Sequence, residues 1–242
     1  RNACEGLFGG AFALTVRAND VENQQHLERL GMVSGEMDRV RFLSPVMRKD
    51  LIEEIRWTEE EAKVRRDGLD IPSLQLPPGG EITLEVLRTE GAMELLRSLN
   101  LGSAFTRGSK LRVARSRAVA MLSTRDDTSL PSVNFNAGRV LQRLWLTATV
   151  MGVGFQPMYA TLFVRNFVQR QIESQDQATK LMNKELLKNV DEQLAFFNAS
   201  SRNYPHPIFI FALTDAPPPK ERSYRRDFDS CLILPSISKA AL

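Results

Sequence analysis

From Phe135 to Tyr159 apolar side chains occupy nearly every face of a helical repeat. Ala137, Leu141, Leu144, Trp145, Ala148 and Met151 recur at helical spacing, and Val140, Leu146 and Val150 cover the remaining faces. A helix that is apolar all round belongs in an interior rather than on a surface. Gly138 to Met151 is therefore predicted to be the most buried helix of the chain. Its polar residues, Arg139, Gln142 and Arg143, crowd the first two turns. Asn134 or Asn136 is the expected N-cap, and Gly152 and Gly154 stand where a left-handed stop is expected. An abrupt turn is expected at Gln156-Pro157-Met158. A flat ring could lie against backbone at such a glycine-rich exit. The plain alternative is the core helix of any mixed α/β domain.

The other patterns are shorter. Phe12 to Val16 and Arg117 to Ser123 read as buried strands, as does Pro207 to Leu213, a continuous apolar run between prolines. Val21 to Met32 reads as a mostly polar helix with Leu27 and Leu30 on one face. Glu36 to Leu43 and Val46 to Trp57 read as two helices broken at Ser44-Pro45, because a residue before proline leaves the helical region. On the second, Leu51, Ile52 and Ile55 are expected inward, and Arg48, Glu53 and Glu54 outward. Thr58 to Glu61 has the spacing of a capping box. Arg65 to Pro78 is turn-rich, and Gly79-Gly80 is the softest hinge. Glu90 to Asn100 and Glu173 to Phe197 complete the helices. Strands separated by helices, at least one of them buried on both faces, point to a mixed α+β layer fold.

Composition narrows the partners. The chain has 242 residues, 43% hydrophobic and 25% charged, with a net charge of +3. One large core or two modest ones fit that length. The basic residues are interleaved with acids, so nucleic acid is not an expected partner. No apolar run is long enough to span a bilayer and no secretory signal is visible, so a cytoplasmic protein without membrane contact is expected. Cys4 and Cys231 lie near opposite ends and read as reduced thiols. His26 and His206 lack metal-ligand spacing, so no metal is expected. No Ser-His or Cys-His arrangement points to a hydrolase. The one concentrated charge feature is basic: Lys220, Arg222, Arg225 and Arg226, after the last strand.

Two stretches, GRVLQRLWLTATVMGVGFQPM and HPIFIFALTDAPPPKERSYRR, carry a resemblance to the FMN-dependent nitroreductase family. DRVRFLSPVMRKDLIEEIRWTEEEAKVRRDGLD resembles one branch of it, long two-lobed chains sometimes fused to a ThiF-like adenylyltransferase domain. The resemblance covers roughly residues 25 to 230. It implies a nitroreductase-like domain over 1–242, an α+β fold with a mixed sheet flanked by helices and a central buried helix, that helix backing the flavin and basic residues after the last strand holding its phosphate. The family's early Arg/Ser-rich phosphate-binding segment, and the branch's Pro-Ser-Gly-Asn-like loop, have no counterpart here. The chain is accordingly expected to be the C-terminal lobe of a longer protein, acting as a homodimer or paired with a missing N-terminal lobe. In the branch, the 65–78 connection leads into a segment that covers the flavin pocket; a plain linker is the alternative.

The same resemblance implies hydride transfer from NAD(P)H through FMN to an unknown electron acceptor. The flavin supplies that chemistry, so a catalytic residue of the protein is not assigned. Arg225 and Arg226 are the foremost phosphate candidates, because guanidinium groups match phosphate oxygens bidentately; Arg222 and Lys220 stand behind them. The plain alternative is a solvated tail paired to Glu221, Asp227 and Asp229. Gly154, Gln156, Pro157 and Met158 are candidates to line the isoalloxazine edge, with a backbone N–H there donating to flavin N5 or O4; an ordinary helix C-cap is the alternative. Arg139 and Arg143 hold the flavin pyrimidine or form salt bridges. Trp145, Phe155 and Trp57 read as core. The second functional class is a non-catalytic flavin-storing or flavin-free interaction lobe. A third, an adjunct to adenylation chemistry, rests on the resemblance alone.

Overall fold

Pro207 to Leu213 does form a strand, and it is central. In the computed structural model, which describes residues 10–74, 76, 79–174, 177–198, 203–215 and 222–232, the chain forms two compact units. One comprises Arg1–Pro45 with Glu94–Pro218, the other Val46–Met93 with Pro219–Leu242. Cys4, Lys220, Glu221 and most of the TDAPPPK loop lie outside the described residues.

The first unit is built on β1 (Phe12–Ala18), β4 (Ala118–Thr124), β5 (Gly154–Pro157) and β6 (His206–Thr214), in the order β1-β4-β6-β5. Every pairing in this sheet is antiparallel, where the resemblance implies a mixed one. Antiparallel neighbours need no crossover helix, so long apolar runs alone do not imply parallel strands. β4 is buried from Val119 to Thr124 because helices cover both its faces. The β4–β6 register shifts beside Ser123, opposite Pro207, which has no N–H to give to a ladder.

One face of the sheet carries Leu14, Ala120, Leu122 and Phe211 against α7 (Pro131–Val150). On the other side α8 (Tyr159–Gln171) lies against β6 and α9 (Gln177–Asn198) against β1. Helix α1 (Gln24–Leu43) packs on both. Leu30, Met37, Val164 and Val190 are fully enclosed there. Helix α1 runs unbroken through the two stretches read as separate helices. Its Gly31 and Gly35 are contact points rather than breaks. A Cβ on Gly35 would stand 2.6 Å from the Thr106 carbonyl oxygen in the 3-10 turn Ser103–Thr106, and one on Gly31 would stand 3.4 Å from Lys110 Cα in α6 (Arg107–Ala114). Asn19 caps α6, donating to the Ala114 and Ser116 carbonyls at 3.3 and 2.9 Å.

The expected burial of Gly138 to Met151 is corrected. Helix α7 buries one stripe, Val133, Ala137, Val140, Leu144 and Ala148. Phe135, Leu146 and Val150 remain 70%, 56% and 88% exposed. Among the described residues the sheet is the layer that packs on this helix, so periodicity found its apolar residues but not its neighbours. Its burial therefore lends no support to the family resemblance. Nor does Asn134 or Asn136 cap it: the helix opens with Pro131 at its first position, after an extended Leu130.

In the second unit, α2 (Pro45–Glu54) ends earlier than periodicity indicates. Ile55–Arg56 (β2) instead pairs in parallel with Leu69–Asp70 (β3). Arg48, expected to face water, is 3% exposed and binds Glu90 at 2.6 Å, so an ion pair overrides polarity. The N-cap half of the capping box forms: Thr58 Oγ1 accepts from the Glu61 N–H at the start of α3 (Glu59–Arg65), while the Glu61 carboxylate reaches back one residue further, accepting from the Trp57 N–H. Helix α4 (Gly80–Arg88) follows, α5 (Glu90–Ser98) begins in this unit and ends in the first, and α10 is Phe228–Cys231. Among the described residues no helix is long and apolar enough to cross a membrane.

Candidate functional site

The sequence-predicted site residues fall into two groups, one in each unit. The first group follows α7. Gly152 adopts φ +68°, the left-handed stop expected of it. The Gly152 N–H donates to Thr149 and the Val153 N–H to Ala148, which together close the helix as a Schellman motif. Gly154 is not part of the stop. It opens β5, and the chain runs straight through Gln156 and Pro157 where a turn was expected. Among the described residues β5 is an edge strand, paired with β6 alone.

That pairing fixes which backbone groups are available. The Met158 N–H donates to the Ile210 carbonyl at 2.9 Å. By the alternation of an antiparallel ladder Gln156 also turns its N–H toward β6, and the Phe155 N–H points to the open edge. Met158 is 3% exposed, so neither its side chain nor its N–H is free to line a ligand. Gln156 offers an exposed side chain, and Pro157 has no N–H. The available donor, Phe155, was read as core from the sequence. Its ring is indeed packed, lying 4.8 Å from Trp145 and 4.1 Å from Phe211 in a continuous stack. Only the strand register could have singled out its backbone.

The second group lies between Arg222 and Asp227. Arg222 is exposed. Arg225 Nη1 donates to the Ser223 and Tyr224 carbonyls at 3.3 and 3.0 Å. Arg226 Nη2 donates to Asp67 Oδ2 at 2.8 Å. Asp227 pairs with Arg66, at 2.9 and 2.8 Å to its two oxygens. Asp67 also accepts from Arg56 Nε at 2.7 Å, and Arg56 is 4% exposed. The Arg56 hydrogen bond, reinforced by Arg226 and opposed by desolvation, holds the Asp67 carboxyl below the usual aspartate range. Asp70 is likewise held low: burial opposes ionisation, but hydrogen bonds from Ser223, its own backbone and Ser73 outweigh it. Asp67 and Arg56 were not singled out from the sequence, because their partners lie 159 and 11 positions away.

The remaining candidates have local roles. Arg88 lies 4.7 Å above the Trp57 ring, and His26 stacks on Phe196 at 3.9 Å. Arg143 is exposed on α7 beside Phe135, Leu146 and Val150. Those three apolar residues fall within about 60° of one another on a helix advancing about 100° per residue, so they form one open apolar face.

No protein-family model matches the chain, and no solved structure matches it. One curated relative is similar: an uncharacterized protein, MT1398, of Mycobacterium tuberculosis (strain CDC 1551 / Oshkosh), 27% identical over 223 residues. The match covers 92% of this chain, and the chain spans 30% of that relative's length.

Proposed function

We propose that the chain is the flavin-binding lobe of an FMN-dependent NAD(P)H oxidoreductase of the nitroreductase type. The observation that carries this reading is the exit from α7. A Schellman stop delivers the chain into a strand edge that no other described strand covers, where the Phe155 N–H points outward beside the Trp145–Phe155–Phe211 stack. A planar heterocycle with acceptor atoms on its edge suits such a backbone donor. Within the second unit, and argued apart from that edge, Arg226 and Arg225 suit a phosphate; each guanidinium carries five N–H donors, and the bonds they make leave most of them available. When bound, FMN supplies the hydride chemistry; these residues bind and orient it. NAD(P)H and an unidentified acceptor are the proposed partners, in a cytoplasmic protein. The open face of α7 supports pairing with a second copy or with the lobe expected N-terminal to it.

The test compares two ligands. Charge-assisted hydrogen bonds contribute roughly 1.5–3 kcal/mol each. The Arg225→Ala/Arg226→Ala double variant is expected to weaken FMN binding at least about a hundredfold, with riboflavin, which lacks the phosphate, almost indifferent. FMN affinity unaltered in the variant would refute the phosphate role.

One observation favours the second reading, a flavin-storing or flavin-free interaction lobe. Arg226 is engaged by Asp67, and Arg225 is folded onto its own backbone carbonyls. Purified protein without absorbance near ~450 nm, and without affinity for added FMN, would establish the flavin-free form of that reading and exclude flavin storage.

A further inference from the structure

We propose that Asp67 is a positioning residue that presets the guanidinium of Arg226 for a phosphomonoester; this deepens the FMN reading above and rests on it. The geometry is a chain of fixed groups running outward. Arg56 is buried and fully engaged: Nη1 donates to the Glu53 and Ile55 carbonyls at 2.8 and 3.2 Å, while Nε and Nη2 both reach Asp67 Oδ1 at 2.7 Å. Gly68, at φ +68°, brings the backbone so close that a Cβ there would stand 2.6 Å from Arg56 Cζ. The turn that carries Asp67 is thereby locked onto a buried cation. Its second oxygen, Oδ2, accepts from Arg226 Nη2.

Arg226 is therefore held at both ends. The chain around it is anchored by side chains, Asp227 on Arg66 and, three residues before Arg226, Ser223 on Ser73, each at 2.8 Å. Its tip is fixed by Asp67. An arginine on a free surface loses rotamer entropy when it grips a ligand. A tethered one has already lost it, and affinity gains by the difference. One N–H of the fork is spent on Asp67 and the others remain to bind an anion. The ligand class is a phosphate monoester dianion, which FMN and free phosphate share. A carboxylate that merely competed with the phosphate for Arg226 would have the opposite effect on affinity, so the sign decides.

The experiment uses the full chain, with FMN, riboflavin and inorganic phosphate titrated separately and the Arg226 side-chain N–H signals followed by NMR. Asp67→Asn is expected to weaken FMN and phosphate about tenfold, the worth of one well-placed bond, and to leave riboflavin unchanged. A purely structural role would move all three ligands together. Because Asp67→Asn leaves the buried Arg56 less well compensated, Arg226→Lys supplies a second test that does not touch Arg56. It keeps the charge, removes the tethered fork, and is expected to weaken FMN to the same degree. FMN affinity unchanged or raised in Asp67→Asn, with Arg226→Gln still weakening it, overturns the positioning role and leaves the FMN reading standing. If the parent binds no flavin, yet phosphate shifts the Arg226 signals and does so less strongly in Asp67→Asn, the FMN reading fails and the positioning role holds. If neither FMN nor phosphate perturbs Arg226, both are overturned.

Discussion

Replacing Gly35 with alanine probes the close approach of α1 to the 3-10 turn Ser103–Thr106. The new methyl would face the Thr106 carbonyl oxygen at 2.6 Å, with Thr106 Cα and Cβ each at 3.0 Å. Two of those three atoms are backbone, so no side-chain rotation relieves the contact, and α1 must move away from the 3-10 turn that leads into α6. Overpacking of this kind costs about 1–3 kcal/mol. Alanine recovers about 0.8–1 kcal/mol of helix propensity over glycine, which leaves a net loss of up to about 2 kcal/mol. Gly108→Ala is the control. It lies on α6 with nothing within 4 Å of the added methyl, so it is expected to gain roughly 0.5–1 kcal/mol. At about 2–4 °C per kcal/mol for a unit of this size, the variants should melt on opposite sides of the parent. Urea titration followed by circular dichroism gives the same difference as a shift in midpoint. Gly35→Ala stabilising the protein as much as Gly108→Ala would refute the close approach of α1 to Thr106.

Leu146→Glu places a charge on the open face of α7 while leaving the buried stripe intact. If that face pairs with another copy, light scattering should show the parent as a dimer and the variant as a monomer with an unchanged melting curve at low concentration; a parent that is already monomeric excludes self-pairing. Asp38 concerns pH. Burial raises its carboxyl above the usual aspartate value, against the Ser109 hydrogen bond and the Arg112 and Arg41 charges. A carboxyl whose folded value is raised destabilises the fold once it ionises, so its stabilising contribution is complete below the unfolded value and is lost as pH rises through the folded one. Asp38→Asn should thus gain most over the parent near pH ~7 and least near pH ~4; an advantage constant across that range would show that Asp38 does not titrate abnormally.

Sequence alone determined the features that depend on near neighbours. The break at Ser44-Pro45 follows from the restriction proline places on the residue before it, and Ser44 is extended as required. The N-cap at Thr58 and the left-handed stop at Gly152 are likewise local, and both form. The apolar runs in β4 and β6 declared themselves as strands by length and flanking turns. What the sequence could not determine is what each surface meets. Helix α7 has apolar residues on every side, but which sides are covered depends on what packs against the helix, and among the described residues that is the sheet on one side. The two glycines of α1 look like breaks to a propensity rule; the nearby backbone at Thr106 and Lys110 makes them contact points. The candidate site divides in the same way. The arginines after the last strand are legible as a cluster, because their spacing is short. Their electrostatic state is not, because Asp67 reaches Arg226 from 159 positions away, and Phe155's open N–H exists only through its register with β6. Local backbone preference is written residue by residue. Pairing between distant segments is decided only when burial, charge compensation and strand register are satisfied together.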